Sequence, residues 1–97
     1  MSFEELVEAI DERLRAAVPT RYGLYRGPHV AYWHFGDRSV RLRAGTNGDV
    51  LLDGALEEPL HVPCDQSALG DLVAALTRVE TAWRGFLRPA EISTKSL

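Results

Sequence analysis

Apolar residues at Phe3, Leu6, Val7, Ile10, Leu14, Ala17 and Val18 recur at the spacing of one helical face, and Glu4, Glu5, Glu8, Asp11, Glu12, Arg13 and Arg15 take the positions between them. That alternation predicts an amphipathic helix. Ser2 followed three residues later by Glu5 is a capping box, acidic residues fill the turns favoured by the helix dipole, and Pro19 supplies the stop.

After Pro19 the period changes from 3.6 to 2, and turn residues recur at short intervals, as an antiparallel meander requires. His29 to Phe35, Gly36-Asp37 and Arg38 to Ala44 read as a hairpin closed by a two-residue loop of type II′ or I′. Pairing Phe35 with Arg38 sets Trp33 opposite Val40 and Ala31 opposite Leu42 on one face. Tyr32 then stands opposite Arg41, and Val30 opposite Arg43, on the other. The first face is core and the second is aromatic and cationic. A three-residue turn at Thr46-Asn47-Gly48, with Gly48 left-handed, continues the pattern: Ala44 meets Val50, Leu42 meets Leu52, and Arg41 faces Asp53 across the strands. A two-residue Asn47-Gly48 turn would place Asp53 against Leu42 and is rejected. Arg21 to Tyr25 is expected as a first strand, and Leu60 to Val62, bracketed by Pro59 and Pro63, as a short edge strand.

From Asp65 or Ser67 a second helix is expected, with Leu69, Leu72, Val73, Leu76, Val79, Trp83, Phe86 and Leu87 on its apolar side, ending before Pro89. Ala68, Ala75 and Ala82 flank that stripe and would let another helix approach closely, at Ala9 and Ala16 of the first. Trp33 and Trp83 are expected to meet in the core. These elements predict an α+β two-layer sandwich: a helix, a four- or five-stranded antiparallel meander and a C-terminal helix, with both helices on the sheet face that carries Trp33, Val40, Leu42, Val50 and Leu52. Residues 1–88 form one domain in this reading and residues 89–97 a flexible tail.

Composition adds limits. Ninety-seven residues, 45% of them hydrophobic, suit a single core. One cysteine, Cys64, makes no internal disulfide, and no apolar run approaches the roughly 20 residues of a membrane span. The acidic start, Ser2 to Glu5, is unlike a secretory signal, which points to the cytoplasm and away from membranes. Ten arginines against the single Lys95 suit a GC-rich bacterial coding sequence.

Charge is segregated along the chain. Residues 21–43 carry Arg21, Arg26, Arg38, Arg41 and Arg43 against Asp37 alone, together with Tyr22, Tyr25, Tyr32, Trp33, Phe35, His29 and His34. Residues 44–77 carry Asp49, Asp53, Glu57, Glu58, Asp65 and Asp71 and no Lys or Arg. The outer sheet face would then show Tyr32, His34, Ser39, Arg41 and Arg43. Arginines beside aromatics anchor protein interfaces, and they also stack on bases and pair with phosphates. An ordinary solvated face would show the same alternation. A net charge of −3 weighs against nucleic acid.

Other candidates have simpler readings. His29, His34 and His61 are too dispersed for a metal signature, and Cys64 follows His61 without a second cysteine. Cys64 near a helix start could be a nucleophile, but no base is spaced for it, and a small buried residue at the helix start explains it. Gly45 to Asp49 lacks the endings of a phosphate or calcium loop and reads as a hairpin turn. Glu57-Glu58 reads as a charged guard on an exposed edge. No catalytic residue, cofactor or metal is expected. The sequence points to a small non-catalytic module of the adaptor, immunity, chaperone or regulatory type, binding another protein or a second copy of itself through Tyr32, His34, Arg41 and Arg43. The alternatives are a nucleic-acid-binding module using the same face, and a small dimeric enzyme or ligand-binding protein.

Overall fold

The computed structural model describes the backbone of residues 1–96 and the side-chain surroundings of residues 1–86. Helix α1 spans Phe3–Ala17. Its start is the expected capping box: the Glu5 amide donates to Ser2 Oγ at 3.1 Å and the Ser2 amide donates to Glu5 Oε1 at 2.9 Å. Its end is Val18, extended because Pro19 follows.

Five strands follow: β1 (Gly23–Arg26), β2 (Val30–Phe35), β3 (Arg38–Ala44), β4 (Asp49–Gly54) and β5 (Leu60–Pro63). They form one antiparallel sheet in sequence order, a meander. The first strand begins two residues later than expected and runs one further. The pairing of Tyr25 with Tyr32 decides which tyrosine joins the outer face, because neighbouring residues of a strand point to opposite sides.

The central register is the one the hydrophobic pattern dictates. Phe35 pairs with Arg38, Trp33 with Val40 and Ala31 with Leu42; Leu42 then pairs with Leu52, Ala44 with Val50 and Arg41 with Asp53. At the β2–β3 turn Gly36 has φ +62°, and no non-glycine among the described residues has a positive φ. Asp37 is therefore not left-handed, and of the two hairpin turns only type II′ fits.

Gly48 takes the left-handed position in the β3–β4 turn, with φ +73° and open space where a Cβ would stand. Gly48→Val is accordingly expected to cost about 1 kcal/mol or more through backbone strain alone, since no neighbour clashes. Gly48→Asn should recover most of that loss, because asparagine tolerates the left-handed region. Urea titration of the three proteins checks this. Equal stability of the valine and glycine forms would mean that the turn relaxes to another shape.

A single 3-10 turn at Gln66–Ala68, capped by Asp65 accepting the Ser67 amide at 2.9 Å, leads into α2, Leu69–Ser96. The expected stop before Pro89 is not observed, and the boundary drawn at residue 88 falls inside the helix. Proline at 89 removes the amide that would bond the carbonyl of residue 85. That residue is Gly85, which is exposed, so water can reach the orphaned carbonyl. Among the described residues no helix is long and apolar enough to cross a membrane.

Both helices cover one sheet face, giving the two-layer α+β arrangement. Trp33, Phe35, Val40, Leu42, Val50 and Leu52 from the sheet are fully buried against Leu6, Ile10 and Leu14 of α1 and Leu72 and Leu76 of α2. Trp83 does not lie at that centre. It is half-buried and sits against the β2–β3 turn, its ring where a Cβ on Gly36 would be. The alanine stripe also turns out differently. The helices touch each other, but Ala16 and Ala82 are exposed, and Ala75 and Ala82 face a groove beside the β4–β5 connection.

Two carboxylates lie in the buried layer. Asp11, assigned by the periodicity to the solvent side of α1, is 6% exposed. It accepts from the Tyr22 hydroxyl at 2.6 Å and pairs with Arg15 at 2.7 Å and Arg26 at 3.3 Å. Burial, with Asp11 adding to it, pushes the Tyr22 phenol well above its usual range. Glu80 of α2 has no exposure; it accepts from Thr20 Oγ1 and from Arg84 Nε at 3.0 Å and Nη2 at 3.2 Å. Thr20 and Tyr22 lie in the α1–β1 connection, so the two carboxylates tie that connection to both helices.

Candidate interaction face of the sheet

The outer sheet face is assembled by alternation. Tyr25, Tyr32, Arg41 and Asp53 form one row across β1 to β4, and Val30, Arg43, Leu51 and His61 a second across β2 to β5. His34 and Ser39 stand at one end of this surface, with Gly23 beside them. All four residues expected at a partner surface, Tyr32, His34, Arg41 and Arg43, therefore share it.

The aromatic part is ordered by its own contacts. The Tyr25 and Tyr32 rings lie 5.9 Å apart at 50°, and Tyr32 and His34 stack at 6.1 Å with planes 8° apart. His34 Nδ1 is hydrogen-bonded to Ser39 Oγ at 2.7 Å, which fixes the imidazole plane. Tyr25 is 55% exposed, so the group of rings opens to solvent. Sequence reasoning did not place Tyr25 on this face, because its outward direction depends on the pairing of β1 with β2, which the sequence left unassigned.

The charged part differs from its linear composition. Arg41 donates to both oxygens of Asp53, Nε to Oδ1 at 3.0 Å and Nη2 to Oδ2 at 2.9 Å, and Arg43 reaches the same Oδ2 at 3.4 Å. Hydrogen bonds from Arg41 hold the Asp53 carboxyl below its usual value, and Asp53 raises Arg41 in turn. His61 pairs with Asp49 near the far edge, and that bond lowers the Asp49 carboxyl.

The remaining members of the basic stretch go elsewhere. Arg26 turns to the helix side and pairs with Glu8 at 2.9 Å as well as with Asp11. Arg38 lines the groove beside α2, and Arg21 is exposed ahead of β1. Tyr22 packs inward on Phe35, with ring centroids 5.5 Å apart. A run that is basic in sequence is thus divided between two faces, and the outer one carries two guanidinium groups around one carboxylate.

Other candidates are placed as follows. Cys64 is half-buried, its Sγ 3.6 Å from the Met1 carbonyl, and burial raises the thiol pKa, the opposite of activation. No group of three or more His, Cys, Asp or Glu among the described residues is placed to hold a metal ion. Glu57 and Glu58 lie in the β4–β5 connection, not on an edge strand. With Arg38, Arg78 and an apolar floor of Ala75 and Val79 they line an open groove of about 390 Å³. Gly45 to Asp49 closes a hairpin, the Gly45 amide donating to the Asp49 carbonyl at 2.8 Å. No protein-family model, no curated protein and no solved structure matches this chain.

Proposed function

We propose that this chain is a small non-catalytic module of a cytoplasmic, bacterial kind that binds another protein through its outer sheet face. The observation that carries the reading is asymmetry: both helices pack on one side of the sheet, and the other side presents three rings packed in series beside a cross-strand ion network. Side chains already held by their neighbours lose little conformational freedom when a partner docks, and tyrosine and arginine are frequent interface anchors. Tyr25, Tyr32, His34 and Arg43 form the contact surface; Arg41 holds Asp53 and keeps the row rigid.

Nucleic acid is the second reading, favoured by the rings and arginines together. It is weakened by Asp53, which already neutralises Arg41, and by the net charge of −3.

The test uses Tyr25→Ser combined with Arg43→Glu, since both side chains are exposed and Arg41 is left in place for Asp53. Circular dichroism should show a folded variant, and affinity capture from host extract should lose the specific partner recovered by the wild type. Arg78→Glu, in the groove on the other side, should retain it. Undiminished capture by the folded double variant would move the site off this face.

A further inference from the structure

We infer that the partner segment bound by the outer sheet face is acidic and carries an aromatic or large aliphatic side chain next to its carboxylate. This rests on the reading of that face as the binding site, and the reason is an imbalance in the ion network. Arg41 occupies both oxygens of Asp53 at 3.0 and 2.9 Å, whereas Arg43 has only a shared oxygen at 3.4 Å, near the limit of a hydrogen bond, and its side chain is 47% exposed. Two guanidinium groups face one carboxylate. Arg43 retains unused donors, because the other carboxylate on its face, Asp49, gives Oδ2 to His61 and has its Oδ1 buried, out of reach of Arg43.

The surroundings of Arg43 specify the rest of the ligand. Its cross-strand neighbours are Val30 and Leu51, both apolar, and the Tyr25–Tyr32 rings lie one row away. A carboxylate docking on Arg43 is therefore shielded from water on both sides, which strengthens the charge-assisted bond, while an adjacent apolar side chain covers the rings.

A second copy of this chain does not meet that requirement by the same face. Under a two-fold axis the face would have to supply its own accessible free carboxylate, and it has none: Asp53 and Asp49 Oδ2 are taken, and Asp49 Oδ1 is buried. The exposed acids of α1, Glu4, Glu5 and Glu12, could reach Arg43 of another copy only in a head-to-tail arrangement, which does not close into a dimer. A different protein is the occupant these charges fit.

The probe is an acetylated, amidated synthetic peptide alternating Glu with Phe and Leu, titrated into ¹⁵N-labelled protein. It is compared with versions carrying Gln or Lys for Glu, one carrying Ser for Phe and Leu, and a twelve-residue oligothymidylate. Saturable shifts are expected at Tyr25, Tyr32 and Arg43 with the first peptide, at least about tenfold tighter than with the Gln version. Arg43→Gln should remove that advantage, and Arg43→Lys should keep part of it. Equal or tighter binding of the Lys peptide or the oligonucleotide at the same residues overturns the acidic partner and leaves the face as a binding site. Shifts confined to the α2 groove, or none at millimolar acidic peptide, overturn it as well. Sedimentation showing a dimer whose formation protects Tyr25 and Arg43 would also overturn it, in favour of self-association.

Discussion

Trp33→Ala is expected to destabilise the protein by about 3–5 kcal/mol, a large part of the roughly 5–15 kcal/mol that holds a domain together. Trp33 heads the fully buried side chains, and its cross-strand neighbours are Leu24 and Val40. Strands on both sides fix the backbone there, so a cavity beneath the helices could not readily collapse. Two companions sharpen the test. Trp33 Nε1 is buried without a hydrogen-bond partner, and an unsatisfied donor costs about 1–3 kcal/mol. Trp33→Phe gives up volume but relieves that donor, so it should cost much less than the volume alone suggests. Trp83→Ala should cost less than Trp33→Ala, because Trp83 is half-buried over the Gly36 turn. Urea midpoints at a common slope would order the variants. A Trp83→Ala loss equal to that of Trp33→Ala would show that the second helix depends on its end contact more than on the central layer.

The sheet was legible because two independent constraints coincide. Turn chemistry at Gly36-Asp37 and at Gly48 limits the register to a few choices, and only one of these keeps Trp33, Val40, Leu42 and Leu52 on a single face. The same alternation brought Tyr32, His34, Arg41 and Arg43 together and placed Asp53 opposite Arg41. Charge counted along the chain was less informative. A strand sends residues 38 and 41 to opposite faces, and Tyr22 and Tyr25 likewise part company, so the basic run never forms one basic surface.

The buried acids were missed for a different reason. Periodicity sorts each residue by its own polarity, yet Asp11 is held by Tyr22 and Arg26, and Glu80 by a threonine 60 positions away. The arginines four residues on, Arg15 and Arg84, suit an exposed helix face equally well, and nothing local announces the distant partners. The far end of α2 was missed because proline was read as a stop, whereas the helix runs through it.

Those hidden acids yield the second large effect. Arg84→Ala is expected to cost about 2–3 kcal/mol, somewhat under the ~3–5 kcal/mol for breaking a fully buried ion pair, because the Arg84 side chain keeps 38% of its exposure. The loss arises from what remains. Glu80 has no contact with solvent and would keep only the Thr20 hydroxyl to balance its charge. Glu80→Met should be far milder, at about 1 kcal/mol or less. It fills similar volume, leaves Arg84 to extend into water, and removes the one group that cannot be hydrated. The double variant, Glu80→Met with Arg84→Ala, should then match Glu80→Met alone, so the two changes are strongly non-additive. Denaturant titration of the full cycle gives the coupling. If Glu80→Met proved the costlier single change, the carboxylate would itself be the main tether between the Thr20 connection and α2, and the α1–β1 segment would be expected to loosen with it.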